Sequence, residues 1–97
     1  MKHLYVYILK CANSTYYTGI TNNLEKRLQQ HQQGVNKACY TARHLPVSLV
    51  FYERYSDFSL AIKWEKRIKR WSKEKKEALI SNDWNKLKTA ALKHKSV

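Results

Sequence analysis

The chain has 97 residues, 43% of them hydrophobic and 12% aromatic, which bounds it to a single domain with a modest core and argues against disorder. Nineteen Lys and Arg against seven Asp and Glu leave a net charge of +12, so a polyanionic partner is expected: nucleic acid rather than a membrane surface, held by phosphate contacts that weaken as salt rises. No apolar run reaches the ~18–20 residues of a membrane span, the tyrosine-rich start has no cleavage site after it, and Cys11 and Cys39 show neither a disulfide framework nor zinc spacing, so a reduced cytoplasmic setting is expected.

Residues 3–10, HLYVYILK, are β-branched and aromatic and predict a strand, with Tyr5 and Tyr7 on one face of it. Residues 15–20, TYYTGI, predict its antiparallel partner across a short loop, and Gly19 marks a place where the backbone turns or something approaches closely. NNLEKRLQQHQQG predicts a helix, with Asn22 as cap, Glu25 completing a capping box and Gly34 as terminator. Leu24, Arg27, Leu28 and His31 share one side of it by their spacing.

Residues 35–46 have no period and predict a loop with at most one helical turn. VSLVFYERY, residues 47–55, predicts a third strand, after which Ser56 and Asp57 offer a helix cap. Leu60, Trp64, Ile68 and Trp71 form an apolar stripe, and Ser72 breaks or caps that helix before KEKKEALI continues as another. DWNKLKTAALKHK predicts a final basic helix with Trp84, Leu87 and Leu92 roughly on one side. The order ββα, β, then helices predicts a small α/β (α+β) domain with an antiparallel sheet. Residues 1–80 form the domain, and 81–97 are a basic helical extension packed on it.

Taken singly, the polar candidates have ordinary readings. Strand tyrosines bury their rings and keep hydroxyls at an edge. Arg27 fits a surface arginine whose stem covers the core, and His31 a surface histidine near a helix C-terminus. Glu65 is the only acid from Phe58 to Lys73. It fits either an ion pair with Lys69 four residues on, or a hard oxygen ligand for Mg²⁺ or Mn²⁺.

The set taken together resembles the GIY-YIG nuclease superfamily, most closely its small standalone bacterial subgroup (UPF0213-like, and akin to an excinuclease N-terminal domain). The triplets correspond to Tyr5-Val6-Tyr7 and Tyr17-Thr18-Gly19, nine residues apart. The family's arginine matches Arg27, its aromatic or histidine one turn later matches His31, and its metal-binding glutamate matches Glu65 in AIKWEKRIK. The resemblance spans Lys2 to Leu79. Departures are Tyr5 for the first glycine, Thr18 in the second triplet, Ile20 and Thr21 where a lysine is frequent, and Glu77 at a late asparagine position.

The resemblance implies a three-stranded antiparallel sheet flanked by helices and metal-dependent hydrolysis of phosphodiester bonds, in DNA before RNA. It implies that Glu65 holds the cation, that Tyr7 or Tyr17 helps deprotonate water, that His31 relays the proton, and that Arg27 stabilises charge on phosphorus. A free tyrosine has a pKa near ~10, so cations must lower it for that role. The alternative is a nucleic-acid-binding module of the same fold with weak or no catalysis. The two triplets, Arg27 and His31 are expected to line one concave face that Glu65 closes from a later helix, and a structure placing Glu65 on the opposite side of the sheet from Arg27 would end the nuclease assignment. Twelve Lys and Arg from Lys63 to Lys95 fit equally a solvated charged face over a packed apolar stripe and a surface that grips phosphates without reading bases.

Overall fold

The structure is a computed structural model and describes residues 3–34 and 40–81. The loop positions before Tyr40 and the C-terminal extension with Trp84, Leu87 and Leu92 lie outside the described residues. Three strands, β1 (Leu4–Lys10), β2 (Tyr16–Thr21) and β3 (Ser48–Tyr55), form one antiparallel sheet in the order β2-β1-β3. Three α-helices, α1 (Leu24–Gln33), α2 (Phe58–Lys69) and α3 (Lys73–Ile80), flank it, and a 3-10 turn (Tyr40–Arg43) interrupts the long loop.

The apolar run of β1 reflects burial on both faces. Val6 and Ile8 face one layer, where Ala61 and Ile68 of α2 complete a core with Trp64, Trp71, Leu79 and Ile80 around it. Tyr7 and Leu9 face the other, against Cys11, Val47, Tyr17 and the α1 residues Leu24 and Leu28. Helices α1 and α2 therefore cover opposite faces. α2 packs most closely on β2, less on β1 and least on β3.

Two local expectations need correction. The cap of α1 is Asn23, whose side chain accepts from the Lys26 N–H, and not Asn22. Thr21 Oγ1 accepts the Asn23 N–H at 3.1 Å, which fixes Asn23 at the half-helical position and leaves Glu25 outside a capping box. On α2, Leu60 is 42% exposed while Ala61 is fully buried. Trp64, Ile68 and Trp71 do pack on the core as the stripe predicts, so only Leu60 departs from it. The small alanine lets the helix come close to Val6 and Ile8, and the buried arc takes in Glu65 with Ala61 and Ile68. Asp57 caps α2 and Ser72 caps α3.

Thr18 is 2% exposed, and its hydroxyl has no partner. Strand alternation places it beside Tyr16 and Ile20, on the α2 side of the sheet. An orphaned buried hydroxyl costs on the order of 1 kcal/mol or more, and valine keeps the shape without it. Thr18→Val is expected to stabilise the domain by about 1 kcal/mol and to raise the melting temperature by a few degrees. A calorimetric scan of both proteins measures it, and a lower melting temperature for the variant would contradict it.

Candidate active site

The ring of Tyr7 is fully buried, and its cross-strand partner on β2 is Gly19. A Cβ at position 19 would lie 3.0 Å from Tyr7 Cε1 and closer still to Cζ and Oη. Only a residue without a side chain leaves room for the tyrosine to lie across β2. The close approach expected at Gly19 is therefore made by Tyr7 itself.

The Tyr7 hydroxyl reaches His31 Nε2 at 2.9 Å, and His31 Nδ1 lies 2.8 Å from Thr41 Oγ1. His31 is 7% exposed and Thr41 1%, so the imidazole is clamped at both nitrogens inside the protein and is not a surface histidine. In the neutral ring one nitrogen donates and the other accepts. When Tyr7 donates to Nε2, Nδ1 carries the proton and donates to Thr41. Tyr17 stands against the same ring, with centroids 5.1 Å apart, and 6.5 Å from the Tyr7 ring. Tyr17 is only partly buried, so it is the tyrosine of the pair that reaches solvent.

Arg27 lies one turn before His31 on α1 and is half-buried. Among the described residues no carboxylate pairs with it. Burial first, and then the charge of Arg27, hold the His31 pKa below its usual value. The unfolded chain therefore takes up a proton that the folded ring resists. The resulting stabilisation is complete above about pH 6.5 and fades as pH falls through the lower folded value. Denaturant melts of wild type and His31→Gln from neutral to acid pH are expected to differ in this slope, with the variant flatter. Parallel slopes would show that another group carries the acid sensitivity.

Glu65 stands apart from this cluster, in the layer of α2, and ion-pairs with Lys69 at 3.2 Å. The pairing expected from the i, i+4 spacing is thus present. The expected single concave face is not, because α1 and α2 lie on opposite sides of the sheet. That expectation, and the criterion drawn from it, assumed a site on a sheet face. β2, however, is an edge strand, and beyond an edge the two helical layers face the same solvent.

Glu77, at the late asparagine position, accepts a hydrogen bond from Tyr16 at 3.1 Å. Burial, and then this carboxylate, raise the Tyr16 pKa. The contact ties α3 to β2.

Thr41 escaped the sequence reading because its segment has no period. The short YTAR turn was its only local signal. Outside the cluster, Lys66, Arg67, Lys69 and Arg70 line a basic groove on α2.

Residues 3–78 match the GIY-YIG catalytic domain. The chain belongs to the GIY-YIG family. Among similar proteins, a UPF0213 protein of Syntrophus aciditrophicus is 45% identical over 83 residues, covering 86% of this chain and 95% of the relative. One of Natronomonas pharaonis is 44% identical over 79 residues, covering 81% and 92%. The solution NMR structure of a UPF0213 protein from Bacillus halodurans aligns with a TM-score of 0.56 at 36% identity, over 84% of this chain and 85% of that one. The α+β architecture of this GIY-YIG domain, a three-stranded antiparallel sheet with three helices, matches that neighbour. No helix among the described residues is long and apolar enough to cross a membrane.

Proposed function

We propose that this GIY-YIG protein is a divalent-metal-dependent endonuclease that hydrolyses phosphodiester bonds in nucleic acid, DNA before RNA, in the cytoplasm. The observation that carries the reading is the buried Tyr7–His31–Thr41 chain with Tyr17 and Arg27 beside it. A histidine held neutral by burial and a neighbouring arginine is a proton acceptor at physiological pH. Tyr17, the more exposed tyrosine, meets the attacking water. His31, braced by Tyr7 and Thr41, would take up a proton at Nε2 only from the Tyr7 hydroxyl, which replaces it with one passed on from the water side. Arg27, free of acid partners among the described residues, presents its planar fork to the phosphate as negative charge builds.

Glu65 would hold the cation. A single hard carboxylate oxygen suits an ion that keeps several waters and accepts one carboxylate plus substrate phosphate. Mg²⁺ and Mn²⁺ fit that donor set, and Lys69, exposed at its side chain, is free to leave the carboxylate. When bound, the ion supplies positive charge to the scissile phosphate. Glu65 and Arg27 would act on one substrate that lies along the β2 edge, with the α2 groove of lysines and arginines gripping its backbone.

The test is incubation of pure protein with labelled single-stranded, duplex, flap and branched DNA and RNA, in Mg²⁺, in Mn²⁺ and in chelator. Cleavage in metal alone is expected. Binding without cleavage in every metal would leave the binding module instead.

Thr41 is a positioning residue under this reading. Thr41→Val keeps the packing and removes the partner of Nδ1. Cleavage is expected to fall about tenfold or more, as when a group that orients a histidine is removed, with a displaced pH–rate profile. Thr41→Ser should recover most of it. An unchanged profile in Thr41→Val would exclude the role.

A further inference from the structure

A second surface adjoins Tyr7: Tyr5 is two residues along β1, roughly 7 Å away on the same face of the strand, and Tyr52 is the cross-strand partner of Tyr7 on β3. There Tyr5 meets Tyr52 of β3 edge to face, with centroids 6.2 Å apart. Tyr52 is 55% exposed although it stands in the middle of a strand. The pair borders a groove of about 490 Å³ with Leu28 and Leu49 at its apolar part and Asn22 and Glu25 at its polar end. Arg54 is exposed directly across from Tyr5, on the face of β3 that carries Tyr52.

An exposed ring is ordinary by itself, but Tyr52 stands beside a second tyrosine at the rim of a groove. Here it is bordered by an arginine, in a protein of net charge +12. Exposed rings interleaved with cations are how proteins hold unpaired nucleotides: bases stack on the rings and the cations take the phosphates. The amide of Asn22 and the carboxylate of Glu25 offer acceptors, and the amide a donor, to the edge of a base lying in the groove. A free apolar peptide would fill the leucine part but leave Arg54 and the polar end unused.

We infer that the Tyr5–Tyr52 groove is a subsite for an unpaired nucleobase, so that the substrate, besides the part along the β2 edge, has a single-stranded segment that reaches this groove between α1 and β3. The inference rests on the nuclease reading for the polymer it takes, but its test needs no catalysis. A base in duplex is stacked on its neighbours and has no face to give to Tyr52. The groove thus selects strands, flaps and junction arms over continuous duplex.

The experiment compares binding of a short oligothymidylate, an abasic strand of the same length and charge, and a duplex, all in chelator. Wild type is expected to prefer the base-bearing strand about tenfold, the scale of one stacked base. Tyr52→Ala should abolish that preference and leave abasic and duplex binding unchanged. Tyr52→Phe, which keeps the ring, should retain it. Circular dichroism melts confirm that both variants fold.

A preference that survives Tyr52→Ala would overturn the proposal. So would sedimentation showing that wild type self-associates through this face and that Tyr52→Ala does not. Retained preference with no cleavage in any metal would sink the nuclease reading and leave this one standing.

Discussion

Glu65→Gln is expected to fold, to bind nucleic acid and to cleave at least ~100-fold more slowly than wild type, the scale of removing one electrostatic interaction with a transition state. Glutamine keeps the size of a side chain set on the buried arc of α2 beside Ala61 and Ile68. It removes the negative charge that a hard cation needs. The substitution also breaks the i, i+4 ion pair with Lys69, which is worth about 0.3–0.5 kcal/mol and too little to unfold the domain. Arg27→Lys should slow cleavage on a similar scale for a different reason. The ammonium keeps the charge but not the fork that holds two phosphate oxygens. Binding should weaken little in either variant, because under the proposed reading Lys66, Arg67, Lys69 and Arg70, which line the α2 groove, would share the phosphate contacts. Single-turnover cleavage in Mn²⁺ beside thermal melts checks both. Undiminished cleavage by a folded Glu65→Gln protein would mean that the activity comes from elsewhere.

Gly19→Ala is expected to damage structure and cleavage together. The added methyl would overlap the Tyr7 ring, which is fully buried and hydrogen-bonded to His31. The ring has no slack to give, so the strand or the tyrosine must shift. Overpacking of this kind costs about 1–3 kcal/mol. The shift would also pull the hydroxyl from Nε2 and leave His31 braced on one side only. A lowered denaturation midpoint, with a further rate loss measured well below that midpoint, is the expected result. A variant as stable and as active as wild type would show that the close approach at Gly19 does not matter.

Much of this was legible in the residues because it depends on neighbours in sequence. Strand alternation separated Tyr16 from Tyr17 and kept Tyr5 with Tyr7, and the structure puts the first pair in opposite layers. The spacing of Arg27 and His31 put them on one side of α1. What failed was set at a distance. Of the apolar stripe, Trp64, Ile68 and Trp71 do pack on the core, and only Leu60 was misplaced, because the buried arc runs instead through Ala61 and Glu65. A pattern gives little weight to an alanine whose value is that it lets two layers meet. Helical period also says nothing about which face of a sheet the helix will cover, so the layer of Glu65 was beyond reach. Thr41 matters only because the loop returns it to His31, and no local rule reads that.

The place of β1 between two partners sets how the site keeps time. A central strand frees its amides only when the sheet itself opens, whereas outer elements exchange through smaller local openings. Tyr7 is thus anchored to what should be the slowest-exchanging part of the molecule, whereas its partner His31 moves with α1. Glu65 rides on a different body. A small slide of α2 over β2 would change the span between carboxylate and guanidinium and leave the imidazole where it is. Under the proposed reading, the width of the gap offered to a phosphate is then an adjustable dimension, while the Tyr7 end of the cluster stays with the central strand.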